Sequence, residues 1–458
     1  MFNFKAGNRR FRFWCNLSFA YVKRYKLWVL SALIIISAFI FASYKILVYL
    51  NRTNTLTVGY VGSYTIENIP SDILSLATDS LITKDENGRP VPQLASHWTM
   101  ADEGKTYVVF LKDNLKWHDG TDVEAKDILV AISGVQITAL NKKVIEFKLP
   151  NSIPSFPLLL NKPVFKAKSF YGTGEYRIVN INEIDNKVKK ITLAPKNSKL
   201  PRVEIKFYSS RQQAINALKL GDIKRTTIAS AGELQGWPNL DVERTVDNSE
   251  VVTVFYNTEV GSLASKEFRQ ALTYAINNAD FDGQSANGPI SPKSWAYYST
   301  QKYEYNMGKA KELLSKSQEK DFKVTLSTTQ DLKGFAENIK SDWENIGVKT
   351  EIKIEENVPE TFEALLILNR LEPDPDQYSL WHSSQKQTNI TKIKDAKIDK
   401  LLEDGRGTSE ESKRKEFYVD FQKAIIEQSP ASFLYYPYKY VVTYKNISKL
   451  FSKLPKNL

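Results

Sequence analysis

The pattern of apolar and polar positions changes character along the chain. Residues 27–44, LWVLSALIIISAFIFASY, hold no formal charge, and after Lys45 the run ILVYL carries the apolar stretch to Leu50. About 20 mostly apolar residues suffice to cross a bilayer as a helix, and a lysine near one end can reach the interface. The stretch predicts a transmembrane helix over 27–50. Beyond it the pattern shortens. Residues 56–60, 106–111 (TYVVFL) and 144–149 (VIEFKL) have the β-branched and aromatic content of strands. Residues 210–220 place Ala214, Ile215, Ala217 and Leu218 on a helix that stops at Gly221. In 266–277 the residues Phe268, Ala271, Leu272, Ala275 and Ile276 form one helical stripe, with Ser265 available as N-cap.

Residues 322–369 are the most legible. FKVTLST alternates Phe322, Val324 and Leu326 on one face. A helix with Leu332, Phe335, Ile339, Trp343 and Ile346 inward follows, closed by Gly347. VKTEIKI alternates again and EALLILN is a short apolar strand, so a βαβ unit and an α/β lobe are expected. A last helix over 410–428 would turn Phe417, Phe421 and Ile425 inward and end before Pro430. Two tyrosine-rich strands, 432–436 and 438–444, are expected after it.

Composition changes this picture in one place. The chain has 458 residues and a formal net charge of +11, which raises the possibility of an acidic partner. Nine of those charges are Lys5, Arg9, Arg10, Arg12, Lys23, Arg24, Lys26, Lys45 and Arg52, and residues 1–52 hold no Asp or Glu. Residues 53–458 therefore carry only the remaining +2, with Lys and Glu interspersed as in KAKELLSKSQEKDFK, and nucleic-acid binding is not expected. The basic flank before the span puts the N-terminus in the cytoplasm and the rest outside. An uncleaved signal anchor is expected, and a cleaved secretory signal using Ala42 is the alternative. The single cysteine, Cys15, precedes the span, so it is not placed as a lipoprotein cysteine would be. Fully extended, the linker 51–55 reaches only about 17 Å, which holds the outer domain near the membrane.

Candidate chemistry is sparse. There is no G-x-x-x-x-G-K-[ST], G-x-S-x-G or H-E-x-x-H motif. His97, His118 and His382 are far apart and lack metal-site spacing, so no metal and no cofactor is expected. Asp374 and Asp376 flank a proline and read as a turn, and Gly172-Thr173-Gly174 reads as a tight turn. An enzyme is not expected.

Residues 78–128, TDSLITKDENGRPVPQLASHWTMADEGKTYVVFLKDNLKWHDGTDVEAKDI, strongly resemble the extracytoplasmic solute-binding family 5 of peptide and nickel ABC importers. GTGEYRI (172–178) resembles that family's G-T-G-P-Y motif, and KEFRQALTYAINNADF (266–281) its R-x-A-L-x-Y-A-I-D helix. PISPKSWAYY (289–298) and PDPDQYSLWHSSQ (373–385) resemble its Pro-rich approach and its D-P-D segment. The matches keep the family's order over 56–445. The resemblance implies an α/β, two-lobed periplasmic-binding-protein-like fold of the large peptide-binding type (class II) after one N-terminal transmembrane helix. It divides the chain into a basic cytoplasmic segment (1–26), the anchor (27–50), the start of lobe I (51–76), a shortened capping subdomain (77–163), lobe I again (164–252), lobe II (253–435) and a return to lobe I (436–458).

It further implies a monomeric receptor that encloses an oligopeptide or other small solute between its lobes and delivers it to an ABC permease driven by separate ATPase subunits. A peptide sensor or chaperone-like surface binder of the same fold is the alternative. In the peptide-binding branches an aspartate three residues before D-P-D pairs with the ligand's α-ammonium. Here that position is Leu371, so Glu372 or another acid must substitute, or the ligand has no free amino terminus there. The positions that face ligand in relatives are Asn369, Arg370 and Leu371. Tyr378 and Trp381 belong to core or cleft, and Tyr64 and Tyr436 are further ligand candidates. Trp117 and His118 are expected to fix a hairpin.

Overall fold

The computed structural model describes residues 13–454 except 15–16, 18–19, 21–22, 54, 129, 278–280, 300–302, 317–320 and 453. The side chains of 29–30, 32–33 and 44–53 also lie outside the described residues, as do Cys15 and the basic residues of 1–12. Lys26–Thr53 is one helix of 28 residues, about 42 Å long at 1.5 Å per residue. Its described large apolar side chains, among them Leu27, Trp28, Ile35 and Phe39, are exposed. Among the described residues no helix is long and apolar enough to cross a membrane. The transmembrane span expected at 27–50 is therefore not shown as such: its backbone is helical, and eleven of its side chains (29–30, 32–33 and 44–50) fall outside the description.

Two half-sheets joined through one strand organise the rest. In lobe I, Thr55–Val61 runs parallel to both Arg202–Tyr208 and Arg225–Ile228. The helix Arg211–Lys219 makes the crossover, and Ser210 caps it by accepting the Gln213 N–H. The antiparallel strands Lys187–Pro195 and Tyr176–Ile184 extend this sheet to its edge. In lobe II, Lys323–Thr329 is parallel to Lys349–Glu355 and to Ala364–Arg370. The helix Lys333–Asn345 links the first two, as its stripe predicts, burying Ile339 and Trp343, and Gly347 leaves it at φ +93°. Glu250–Tyr256 then pairs antiparallel with Ala364–Arg370. Ser265 caps Lys266–Ala275 by accepting the Phe268 N–H at 3.2 Å.

The tyrosine-rich segment is one strand, Ala431–Tyr444, and not the two expected. Its first half pairs with Glu250–Tyr256 and Gly283–Ser285 in lobe II. Its second half lies between Arg225–Ile228 and Leu240–Val246 in lobe I. Pro437 cannot donate to a ladder, and it sits where the strand changes sheets. Its carbonyl accepts the Asp247 N–H at 2.9 Å.

A smaller unit carries a separate antiparallel sheet of Ala95–Ala101, Thr106–Leu111, Val144–Lys148 and Gln136–Asn141. Tyr107, Trp117, Phe147 and Phe156 fill its core. His118 fixes this unit to lobe I and does more than hold its own turn. Its Nδ1 accepts the Gly172 N–H at 3.1 Å, its Nε2 lies 3.0 Å from the Gly174 carbonyl, and its own N–H donates to Gly172. Burial pushes the imidazole below its ordinary value, towards the neutral form that can accept. A Cβ at Gly172 or Gly174 would run into the Ala77 backbone, so this loop needs glycine for close approach.

Candidate ligand-binding cleft

The chain crosses between lobes twice, at 247–249 and at Pro437. Lys439 ties the crossings together. Its ammonium pairs with Asp247 and lies 3.8 Å from Glu250. Burial tends to raise the Asp247 carboxyl, but Lys439 and Ser249 pull it below the usual range, while burial pushes Glu250 up.

A cavity of about 780 Å³ opens beside these crossings. Its walls are residues 84–88 of the hairpin between Ile82–Lys84 and Pro90–Pro92, the crossing 247–249, and lobe II residues 291–293, Leu371 and Pro373. Three parts of the fold thus meet around one space. The hairpin turn 85–89 is built by Asp85, whose carboxylate accepts the Asn87 and Arg89 N–H groups at 2.9 and 2.8 Å. Gly88 completes it at φ +82°, close against Pro373. The turn docks on lobe II through the Trp295 N–H, which donates to Asn87 at 2.9 Å, and through a bidentate Arg89–Glu411 pair at 2.8–3.0 Å. This pair is exposed and worth at most about 1 kcal/mol. Arg89→Ala is accordingly expected to leave the melting temperature nearly unchanged while loosening the hairpin from lobe II. A larger radius of gyration in small-angle scattering of ligand-free protein would register that, and an unchanged one would count against it.

The structure sorts the sequence candidates. Leu371 lines the cavity, is 4% exposed, and donates its N–H to Ser249 at 2.8 Å. Asn369 pairs with Val251 at the end of its strand, and Arg370 pairs with Glu250. Arg370 Nε is 3.5 Å from Glu372 Oε1, both side chains being solvent-exposed. The other four do not line this cavity. Trp381 is fully buried in the lobe II core against Phe255 and Phe433 (ring centroids 5.9 and 6.2 Å), so its side chain does not reach the cleft surface. Tyr436 is 1% exposed in the same core. Tyr378 stacks on His382 at 4.1 Å beneath the Arg406 guanidinium, and Tyr64 packs its edge on Phe207 at 5.3 Å.

Asp374 and Asp376 form a turn in which Asp374 accepts the Asp376 N–H, and each pairs with an arginine, Arg414 and Arg406. The three histidines do not converge, and among the described residues no cluster could hold a metal. His97 stacks on Phe110, and His382 contacts Ser384 and Glu403. Sequence reasoning missed Lys84, Lys293 and the 247–249 crossing, because no local pattern marks residues that meet only across a cleft.

Two α/β lobes joined by paired crossings, with a cavity at the junction, define a two-lobed solute-binding protein. The chain belongs to the bacterial extracellular solute-binding proteins, family 5 (Middle), whose model matches residues 89–135 and 130–390. It is 25% identical over 478 residues to the oligopeptide-binding protein AppA of Bacillus subtilis, covering 86% of this chain and 88% of that protein. It is 23% identical to the dipeptide-binding protein of Escherichia coli, covering 74% and 80%. Among solved structures, NikZ from Campylobacter jejuni in complex with Ni(L-His) superposes with a TM-score of 0.69 at 24% identity, over 86% of this chain and 94% of that one. CtaP from Listeria monocytogenes superposes at 0.73 and 20% identity, over 85% and 93%. These superpositions carry the two-lobed fold.

Proposed function

We propose that this protein is the substrate-binding component of an ABC importer, taking up oligopeptides or similarly extended solutes between its lobes and passing them to a permease powered by separate ATPases. The observation that carries the reading is the cavity of about 780 Å³ at the junction of hairpin, crossing and lobe II. Its size suits a ligand of several residues, and hinge closure at paired crossings would enclose it. The relatives named for oligopeptide and dipeptide binding support the solute class. Residues 27–50 are proposed as the tether, on the strength of an uncharged apolar sequence behind a basic flank.

Two measurements test this. Mass spectrometry of solutes that co-purify with the full chain should find peptides of mixed sequence. A single sugar, or nothing, would defeat the peptide assignment. After alkaline carbonate extraction the full chain should stay with the membrane and a chain starting at residue 53 should not. Release of both would remove the tether.

A further inference from the structure

The chain enters lobe I at the end of its sheet that lies away from lobe II. Thr55 pairs there with Arg202. The Lys224 N–H donates to the Thr57 carbonyl, the Tyr444 N–H to the Lys224 carbonyl and the Lys445 N–H to the Asn239 carbonyl, at 2.8, 3.1 and 3.0 Å. These bonds bring the starts of four strands and the end of Ala431–Tyr444 to one edge, whereas Pro437 and the cleft lie at the other. Two large apolar side chains stand out beside this edge. Leu220, directly after the helix Arg211–Lys219, is 85% exposed, and Trp237 is 38% exposed. The Lys219 ammonium stands 5.5 Å from the centre of the Trp237 ring, and the Lys445 ammonium donates to the Pro238 carbonyl at 2.7 Å.

Uncommitted charge at this edge is mostly positive. Among the described residues Lys196, Lys199, Arg202, Lys224, Lys445 and Lys449 have no carboxylate within 4.0 Å. Most acids nearby are already held: Asp222 by Lys206 and Tyr208, Glu233 by Lys219, and Glu204 by Lys190. Glu175 and Asp241 are exposed and, among the described residues, lack a basic partner. Six unpaired cations against two such acids favour an anionic surface. The exposed leucine and tryptophan add an apolar footing to it.

The attachment of the N-terminal helix says what that surface is. Only residue 54 separates the helix Lys26–Thr53 from Thr55, so the two lie at most about 7 Å apart. The three helical residues after Leu50 add about 4.5 Å. With 27–50 as the tether, this edge of lobe I is within about 12 Å of the end of the apolar run, and headgroups fill the first 5–8 Å or so of that distance. Tryptophan settles at headgroup level, and lysines are drawn to anionic lipid. We propose that this edge of lobe I rests on an anionic lipid surface, with Leu220 and Trp237 among the headgroups and the unpaired cations against lipid phosphates. This rests on the tether reading and adds to it an orientation: lobe I is held down at the end remote from the cleft, and lobe II is the part left to move on closure.

The test uses the full chain with Cys15→Ser and a nitroxide on Asn446→Cys, or on Glu356→Cys in lobe II as control. Both positions are exposed. The protein is placed in nanodiscs of phosphatidylcholine alone or of equimolar phosphatidylglycerol and phosphatidylcholine. Accessibility of the label at 446 to a neutral, water-soluble nickel chelate should be about threefold or more lower in the mixed lipid, and that at 356 unchanged. Adding Leu220→Ser, Trp237→Ser and Lys199→Glu, checked for an unchanged melting temperature, should abolish the difference. Equal accessibility at 446 in the two lipids, an equal fall at 356, or undiminished protection in the variant overturns the inference. Protection at 446 already present in detergent micelles would assign the surface to a second copy of the chain, and overturns it too. Should the chain fail to stay with phosphatidylcholine discs, the tether reading falls, and retention on the mixed discs decides the inference by itself. Wild type retained and variant released sustains it; both retained or both released overturns it.

Discussion

Trp381→Ala is expected to destabilise lobe II by about 3–5 kcal/mol, the range for emptying a large, fully buried aromatic site. The indole is 0% exposed, packs against Phe255 and Phe433, and directs Nε1 to Gln377 Oε1 at 3.3 Å. Ile398, Leu402, Phe421 and Ile425 belong to the same core, and rigid strands on one side limit how far the site can collapse. For a unit of this size the melting transition of lobe II should fall by roughly 10 °C. Calorimetry would check it. A variant that melts as the wild type but binds ligand weakly would place Trp381 on the cleft surface instead.

Arg414→Ala should be as damaging for an electrostatic reason. Arg414 and Asp374 have only 9% and 15% of their side-chain surface exposed and stand 3.6 Å apart. The guanidinium also donates to the Gly405 carbonyl at 3.0 Å and lies over the rings of Trp295 and Tyr418. Removing it leaves a buried carboxylate unpaired, at a cost of about 3–5 kcal/mol. The loss should depend on pH in a definite direction. Burial already holds the Asp374 carboxyl above its usual value, partly offset by Arg414. Without the arginine it rises further. An acid whose folded pKa exceeds its unfolded one holds more protons when folded, so stability falls as pH climbs between the two values. The variant should therefore lie furthest below the wild type at neutral pH and recover part of the gap as pH drops towards 4. A gap that stays constant from pH 7 to pH 4 would show that packing alone accounts for the cost.

Arg414 also shows where sequence reading stops. The stripe expected on the last helix was Phe417, Phe421 and Ile425. The helix Glu411–Gln428 buries Arg414, Tyr418 and Gln422 with Phe421 and Ile425, and leaves Phe417 only half-buried. An arginine and a glutamine on the inward face break the apolar period, so periodicity selects a neighbouring stripe. Their burial depends on partners elsewhere: Asp374 for Arg414, and the Ala296 carbonyl, 3.0 Å from Nε2, for Gln422.

Leu371, which the resemblance places beside the D-P-D turn, lines the wall of the cavity. Of the aromatic candidates, Trp381 and Tyr436 lie in the core, while Tyr378 and Tyr64 are half-buried. A tyrosine or tryptophan near a ligand site looks the same in sequence whether it faces the ligand or supports the wall behind it.

The sequence by itself determined the elements whose causes are local. The capping serine at 265, the β-branched and aromatic content of 106–111, the strand at 323–329 and the stop at Gly347 each act within a few residues, and the structure follows them. The order of its motifs determined the family as well. Only the tertiary structure decided that the tyrosine-rich run is one strand shared by two sheets, that Arg89 meets Glu411 across 322 positions, and that Lys84 and Lys293 face one cavity. Those are contacts between residues remote in sequence, set by how the lobes pack. No periodicity records them, because the free energy that fixes them comes from burying surfaces together rather than from any stretch of chain alone.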